Sequence, residues 1–300
     1  MLSISTSWFD QNKQPIGEWL KRVKKIGYNA VELSYKVTQD QLDEAIGVLE
    51  KLDMKVSSIH NFCPTPNDGD SVRHISNYYR LSSLEEEERL SAVKWTKIAI
   101  DTAVIVSAKV VIIHAGTLDF EDERSPKLFQ LFIDGQVETP EFNIERKRIL
   151  NARNDKKGPY IEALNKSLDE VTTYARVKGI IIGMETRYYP IEIPNFEEIG
   201  YFLNQYDKQV MGYWHDVGHA EINGRLGVIS HQKFLDTYRE RLIGVHLHGV
   251  KGRRDHLAPF EGDMNLKQYL PYFMDPVIRV VESKNFADEE LIQQAVKKLS

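Results

Sequence analysis

Val110-Val-Ile-Ile-His114 is an unbroken β-branched run that ends on an imidazole. Four apolar positions without alternation suit a strand covered on both faces, the usual state of a parallel sheet. The pattern recurs in Val56-Ser-Ser-Ile-His60, Ile180-Ile-Ile-Gly-Met-Glu185, Gly212-Tyr-Trp-His-Asp216, Ile243-Gly-Val-His246-Leu-His248 and Ile278-Arg-Val-Val-Glu282. An imidazole or a carboxylate closes each run. Parallel strands wound into a closed barrel bring all their carboxyl ends to one rim. A rim so furnished is a site for a divalent cation. The pattern points to a metal-dependent enzyme.

Eight strands are predicted, over 2–7, 30–34, 56–60, 110–114, 180–185, 210–215, 243–248 and 277–282. Amphipathic segments lie between them. Ile16, Trp19, Leu20, Val23 and Ile26 make one apolar stripe, closed by Gly27 where a helix C-cap favours glycine. Leu42, Ala45, Ile46 and Leu49 make the next. Ser83-Leu-Glu-Glu86 reads as a capping box opening a long helix through Ala92, Trp95, Ile98 and Ala99. Further helices are expected over 160–178, 196–206, 231–241 and 288–299. Strand alternating with helix gives the α/β class with a parallel sheet. Eight such units favour a (β/α)8 barrel over an open doubly wound sheet, and no glycine-rich phosphate loop follows the first strand.

The expectation is one domain over 1–300, with an extended insertion after strand 4 at about 117–158. That stretch is too long for an ordinary βα loop and reads as a lid or insertion. Its Glu145-Arg-Lys-Arg148, Arg153, Lys156 and Lys157 suit either a solvated helix face or contact with an acidic substrate. Gly249 to Asn265, after the seventh strand, is a second irregular, basic stretch.

A net charge of −5, from 39 Lys plus Arg against 44 Asp plus Glu, argues against a surface built for nucleic acid. The single cysteine, Cys63, excludes an intrachain disulfide framework and has no basic neighbour to activate it. The first residues lack the basic start and apolar stretch of a signal peptide, and no run approaches the length of a membrane span. A cytoplasmic enzyme is expected, with a homo-oligomer left open.

The order of these motifs resembles the xylose isomerase-like TIM barrel superfamily, which includes sugar isomerases, sugar epimerases and endonuclease IV. The resemblance spans nearly the whole chain outside 117–158. Glu185, Asp216-Val-Gly-His219, Val245-His246-Leu-His and Glu282 carry it. So does Asp255-His256-Leu-Ala-Pro-Phe-Glu-Gly-Asp263, similar to the family's His-Leu-Pro-Pro-Gly-Glu-Gly segment. It implies a TIM barrel whose shared metal is held by Glu185, Asp216, His246 and Glu282. Three carboxylates and one histidine suit Mn²⁺, Mg²⁺ or Co²⁺ and tolerate Zn²⁺. Buried together without a cation, the carboxylates would repel one another strongly.

Endonuclease IV-type relatives bind further metals through histidines matching His60 and His114, and through a His, Asp, His set. His60, His114, His219 and His256 match here. The position of the aspartate is Arg254, with Asp255 displaced by one, and an arginine cannot ligate a cation. The four histidines are therefore expected at a second metal or against the substrate. His248 is expected behind a ligand or on the substrate.

Arg187, Arg254 and Trp8 are expected substrate contacts, with a salt bridge, surface solvation and core packing as their respective plain alternatives. Lys251 and Arg253 offer the same choice as Arg254, and Phe62 the same as Trp8. His215 alternates away from Asp216 and reads as structural, while His74 and His231 receive no role.

The function expected is a divalent-metal-dependent isomerase or epimerase of a sugar, polyol or sugar-phosphate. Glu185 and Glu282 would exchange a proton on either face of a metal-stabilised enediolate. The partner would be a small carbohydrate, with neither nucleic acid nor membrane. The alternative is an endonuclease IV-like phosphodiester hydrolase. The four histidines favour it; the net charge, Arg254 and the short first loops oppose it.

Overall fold

Each of the eight apolar runs forms a strand: β1 (Leu2–Ser5), β2 (Ala30–Leu33), β3 (Lys55–His60), β4 (Val110–Ile113), β5 (Ile181–Glu185), β6 (Met211–Asp216), β7 (Leu242–Leu247) and β8 (Ile278–Val281). The structure is a computed structural model that describes residues 1–67, 78–120 and 126–299; His74 lies outside them. Every strand pairs in parallel with its sequence neighbours, and β8 pairs with β1 to close the barrel. Asp216 lies opposite His246, and His246 opposite Val280, so the polar strand ends share one rim.

Val110, Ile112, Trp214 and Val280 pack together on the inner face. Gly244 makes room for the indole, because a Cβ there would lie 2.0 Å from Trp214. Gly244→Ala is expected to cost about 1–3 kcal/mol in urea unfolding, as overpacked cores do. An unchanged midpoint would mean that Trp214 does not fill the barrel at this level.

Helices alternate with the strands: α1 (Ile16–Ile26), α2 (Gln39–Lys51), α3 (Glu86–Ile105), α4 (Pro126–Ile133), α5 (Pro140–Lys178), α6 (Phe196–Gln205), α7 (Val217–Arg225), α8 (His231–Tyr238) and α9 (Glu289–Leu299). Gly27 caps α1 at φ 120°, and Thr38 with Gln41 forms a capping box on α2. The box expected at Ser83 is absent. Its hydroxyl accepts from the Glu85 N–H at 3.1 Å and donates to Glu88 at 2.8 Å, and α3 opens at Glu86 without a side-chain cap. Sequence reading also passed over α7, whose glycines resemble a loop; Asp216 caps it by accepting the His219 N–H at 2.7 Å.

The insertion between β4 and β5 is mainly helical. The helix expected over 160–178 starts earlier: α5 runs through Gly158-Pro159, with Ile149, Arg153, Tyr160 and Leu164 forming a buried face. Neighbours answer three of the basic residues of this stretch. Arg153 grips the Glu198 carboxylate with two bonds of 2.7 Å, Arg148 pairs with Glu145, and Lys156 lies 4.8 Å from the Phe120 ring. α4 reaches the rim, where Phe129 stacks on Tyr188 at 5.7 Å. No helix among the described residues is long and apolar enough to cross a membrane.

Candidate metal centre

Glu185 ends β5, Asp216 ends β6, His246 lies near the end of β7, and Glu282 follows β8. All four are buried, and one ligand atom from each lies within 4.8 Å of the others. His246 Nδ1 is 2.7 Å from Glu185 Oε1, 3.2 Å from Glu282 Oε2 and 3.7 Å from Asp216 Oδ2. The other Glu185 oxygen lies 2.7 Å from His114 Nε2 and 3.4 Å from His60 Nε2. Glu185 thus stands between two donor groups, as a bridging carboxylate would.

Glu32, on β2, was not legible as a site residue. It is fully buried, accepts from Ser58 at 2.7 Å, and meets His246 Nε2 at 3.1 and 3.2 Å. A lone acid in Ala-Val-Glu-Leu carries no motif; only barrel closure brings β2 opposite β7. This carboxylate fixes a proton on Nε2 and leaves Nδ1 to face the other ligands.

The balance of charge fits a cation. Burial alone would lower the pKa of His246, but Glu282, Glu32 and Glu185 hold it well above the usual histidine range. Burial pushes Glu185 and Asp216 up, but surrounding histidines outweigh it and hold both well below ordinary carboxylates. Burial keeps Glu282 raised. In the metal-free protein an imidazolium therefore stands among carboxylates, and a divalent ion would replace its Nδ1 proton.

The pH dependence follows from that raised pKa. Imidazolium stabilisation is complete below about pH 6.5, the unfolded value, and is lost as pH rises through the folded value. Chelator-treated protein should therefore lose thermal stability as pH rises above neutrality, while cation affinity rises because the competing proton leaves. Melting curves with and without Mn²⁺ across this range test both trends. A metal-free melting temperature that climbs with pH would remove His246 from the role.

His219, Asp255 and His256 form a further donor group. Asp255 Oδ2 lies 3.7 Å from His219 Nε2 and 3.8 Å from His256 Nε2. Each histidine turns Nδ1 to a backbone carbonyl, His219 to Thr186 at 2.8 Å and His256 to Glu282 at 3.1 Å. Nδ1–H donation leaves both Nε2 lone pairs facing Asp255. The expected defect at Arg254 is thus corrected. In the antiparallel pair Gly249–Lys251 and Arg254–Leu257, His256 adopts φ 54°, which breaks strand alternation and turns Asp255 and His256 to one side. Burial takes His256 down to about 3, so its imidazole is neutral, as a ligand must be.

Other expected contacts resolve differently. Arg254 is exposed and lies 4.1 Å from the Phe286 ring, so its guanidinium has an aromatic neighbour. Arg187 is buried between Glu185, at 3.2 Å, and Glu192, so these carboxylates engage its Nη groups. Trp8 packs edge-on to Trp19 at 6.3 Å and donates to the Ala287 carbonyl at 3.1 Å; it belongs to the core, not the pocket wall. Lys251 and Arg253 are exposed, and Phe62 and Cys63 are buried in the main core.

His248 lies behind Asp216, with Nε2 3.0 Å from Oδ1, while its Nδ1 accepts the His256 N–H at 2.9 Å. Gly218 makes room for that ring, since a Cβ there would sit 2.1 Å from His248 Cε1. His215 and His231 join Tyr213 and Glu221 in a buried chain of hydrogen bonds. Tyr35 was overlooked in the sequence; its ring lies 5.2 Å from His60 and 6.1 Å from His114, half-exposed over the second donor group.

A family model described as xylose isomerase-like TIM barrel matches residues 20–276. No curated protein gives a significant sequence match. Among solved structures, the chain is similar to a 3-keto-D-glucoside 4-epimerase from E. coli, with 14% identity, 99% and 98% of the two chains covered, and a TM-score of 0.70. It is also similar to D-psicose 3-epimerase from Clostridium cellulolyticum H10, with 13% identity, 99% and 97% coverage and a TM-score of 0.67. An AP endonuclease, family 2, from Brucella melitensis aligns with 12% identity, 98% and 96% coverage and a TM-score of 0.66. At these identities the likeness is one of fold.

Proposed function

The chain belongs to the xylose isomerase-like TIM barrel family, and from that premise we propose that it is a divalent-metal-dependent isomerase or epimerase of a sugar, polyol or sugar-phosphate. One observation carries the reading: Glu185 and Glu282 reach the same His246 Nδ1, at 2.7 and 3.2 Å, from strands three places apart around the rim. Glu185, Asp216, His246 and Glu282 would hold the cation. When bound, it supplies electrostatic stabilisation for negative charge developing on a substrate oxygen.

Moving a proton to and from a carbon beside a carbonyl needs a base and an acid on opposite faces. Glu185, held anionic by its histidines, suits the base; Glu282, raised by burial, suits the acid. The two exchange roles in the reverse direction. Tyr35 and the neutral imidazole of His114, taken down to about 3 by burial and the Arg187 charge, would contact substrate hydroxyls. The 3-keto-glucoside and psicose epimerases share this barrel and agree with the proposed class.

The test is incubation of Mn²⁺-loaded protein with ketopentoses, ketohexoses and their phosphates in D₂O. Formation of an isomer carrying solvent deuterium at the exchanged carbon is the expected result. No isomer from any of them, with cleavage of abasic duplex DNA, would replace this reading with phosphodiester hydrolysis. The assembled His219, Asp255 and His256 group is the observation that favours that second reading.

A further inference from the structure

We propose that a cavity between α5 and α7 is a second sugar-binding site, apart from the cation, that takes one uncharged monosaccharide. This goes beyond the isomerase reading and does not depend on it.

The cavity measures about 320 Å³, toward the small end of the range of about 300–1,000 Å³ usual for small-molecule sites. Leu150, Arg153, Asn154 and Lys157 line it from α5. Their spacing of three and four residues puts them on one helix face, within the stretch that reads as an insertion. Asn223 of α7 and Phe234 of α8 also line it, with the first residues of α6 and the chain after β5. None of Glu185, Asp216, His246 and Glu282 does. Arg187 stands at the boundary. It lines the cavity, while its Nη1 donates to Glu185 at 3.2 Å.

Asn223 decides the chemistry of the ligand. The residue is only 7% exposed, and its Nδ2 donates to the Arg187 carbonyl at 2.9 Å and the His219 carbonyl at 2.8 Å. These two bonds use both amide hydrogens and so fix which end is oxygen. Oδ1 has no partner among the described residues, yet it is not sealed in the core like Nε of Arg153 or Arg187. An amide oxygen only accepts, so it calls for a donor, which a carboxylate or a phosphate dianion lacks. A hydroxyl supplies one.

The other wall groups agree. Asn195 Oδ1 accepts the Glu198 N–H at 2.9 Å, which leaves its Nδ2 to donate. Asn154 is exposed and makes no hydrogen bond among the described residues, so both ends of its amide are open. The charges balance: Arg153, Lys157 and Arg187 are set against Glu192, Glu197 and Glu198, the last paired with Arg153. Phe196 and Phe234, with ring centroids 5.3 Å apart, add an apolar surface. A sugar ring answers all of these, with hydroxyls that donate and accept, an apolar C–H face and no charge.

Crystals of Mn²⁺-loaded protein soaked in D-glucose, D-galactose, D-fructose or D-glucuronate would locate each ligand, and calorimetric titration would measure its affinity in solution. At least one neutral sugar is expected in the cavity, with a hydroxyl donating to Asn223 Oδ1. Asn154→Trp and Val228→Trp fill the cavity from two different walls. Each should weaken binding at this site about tenfold or more, while metal content stays at the wild-type level. Melting curves show that the variant compared is folded, and either filler alone suffices. A cavity left empty by every neutral sugar, D-glucuronate bound there in their place, or undiminished cavity binding in a folded filler would overturn the site. Solvent deuterium exchange into a ketose would in that case leave the isomerase reading standing. Sugar in the cavity without exchange into any ketose would instead keep this site and remove that reading.

Discussion

Glu185→Gln should lower kcat by about 10²–10⁴-fold, the range lost when a positioned base is removed. Both oxygens of this carboxylate are in use: Oε1 meets His246 at 2.7 Å, while Oε2 meets His114 at 2.7 Å and Arg187 at 3.2 Å. An amide preserves the shape but turns one acceptor into a donor that must face these groups. It also removes the charge that would hold the cation and accept a proton. Glu282→Gln should lose turnover for the same reason, and in both variants the loss of activity should exceed the loss of stability. Metal analysis of each variant separates lost cation from lost base. Wild-type turnover in either one would end the two-carboxylate mechanism.

Glu32→Ala should weaken cation binding about 10–100-fold, the usual effect of removing the partner behind a histidine ligand. Without Glu32, the Nε2 proton of His246 loses its acceptors among the described residues, and the ring is free to turn or change tautomer. Glu32→Gln, which keeps an acceptor oxygen, should fall between wild type and alanine. Competition against a metal-sensitive chelator measures all three. Equal affinity across them would reduce Glu32 to a buried polar side chain without influence on the site.

The barrel was legible because fully covered strands leave a distinctive mark. Val110-Val-Ile-Ile and Ile180-Ile-Ile have no polar face, and each run stops on the residue that reaches the rim. Less could be read where three-dimensional placement outweighs local pattern. Glu32 belongs to no motif and gains its place from closure of the sheet. Asp255 reads as displaced until the positive φ of His256 turns both residues to the same side. The helix expected from residue 160 begins instead at Pro140, because the buried face of α5 continues through Gly158-Pro159. Trp8 and Arg187 lie just past apolar runs, where sequence alone leaves substrate contact, core packing and ion pairing equally open; the structure adds the Trp19 ring beside Trp8 and the Glu185 carboxylate beside Arg187.

Net charge and loop length favoured a sugar enzyme over a nuclease, and they could not register the third donor group. Its two histidines and aspartate come from α7 and from the paired strands after β7. Metal stoichiometry therefore has two meanings here. One equivalent agrees with proton transfer at a single centre, and occupancy of the third group would strengthen the hydrolytic reading.

Anomalous diffraction from crystals soaked in Mn²⁺ tests most directly whether Glu185, Asp216, His246 and Glu282 hold a cation. A strong peak is expected within bonding distance of these four residues, with Glu32 still accepting from His246 Nε2. Manganese bound elsewhere in the same crystal, with no peak among these four residues, would contradict that assignment.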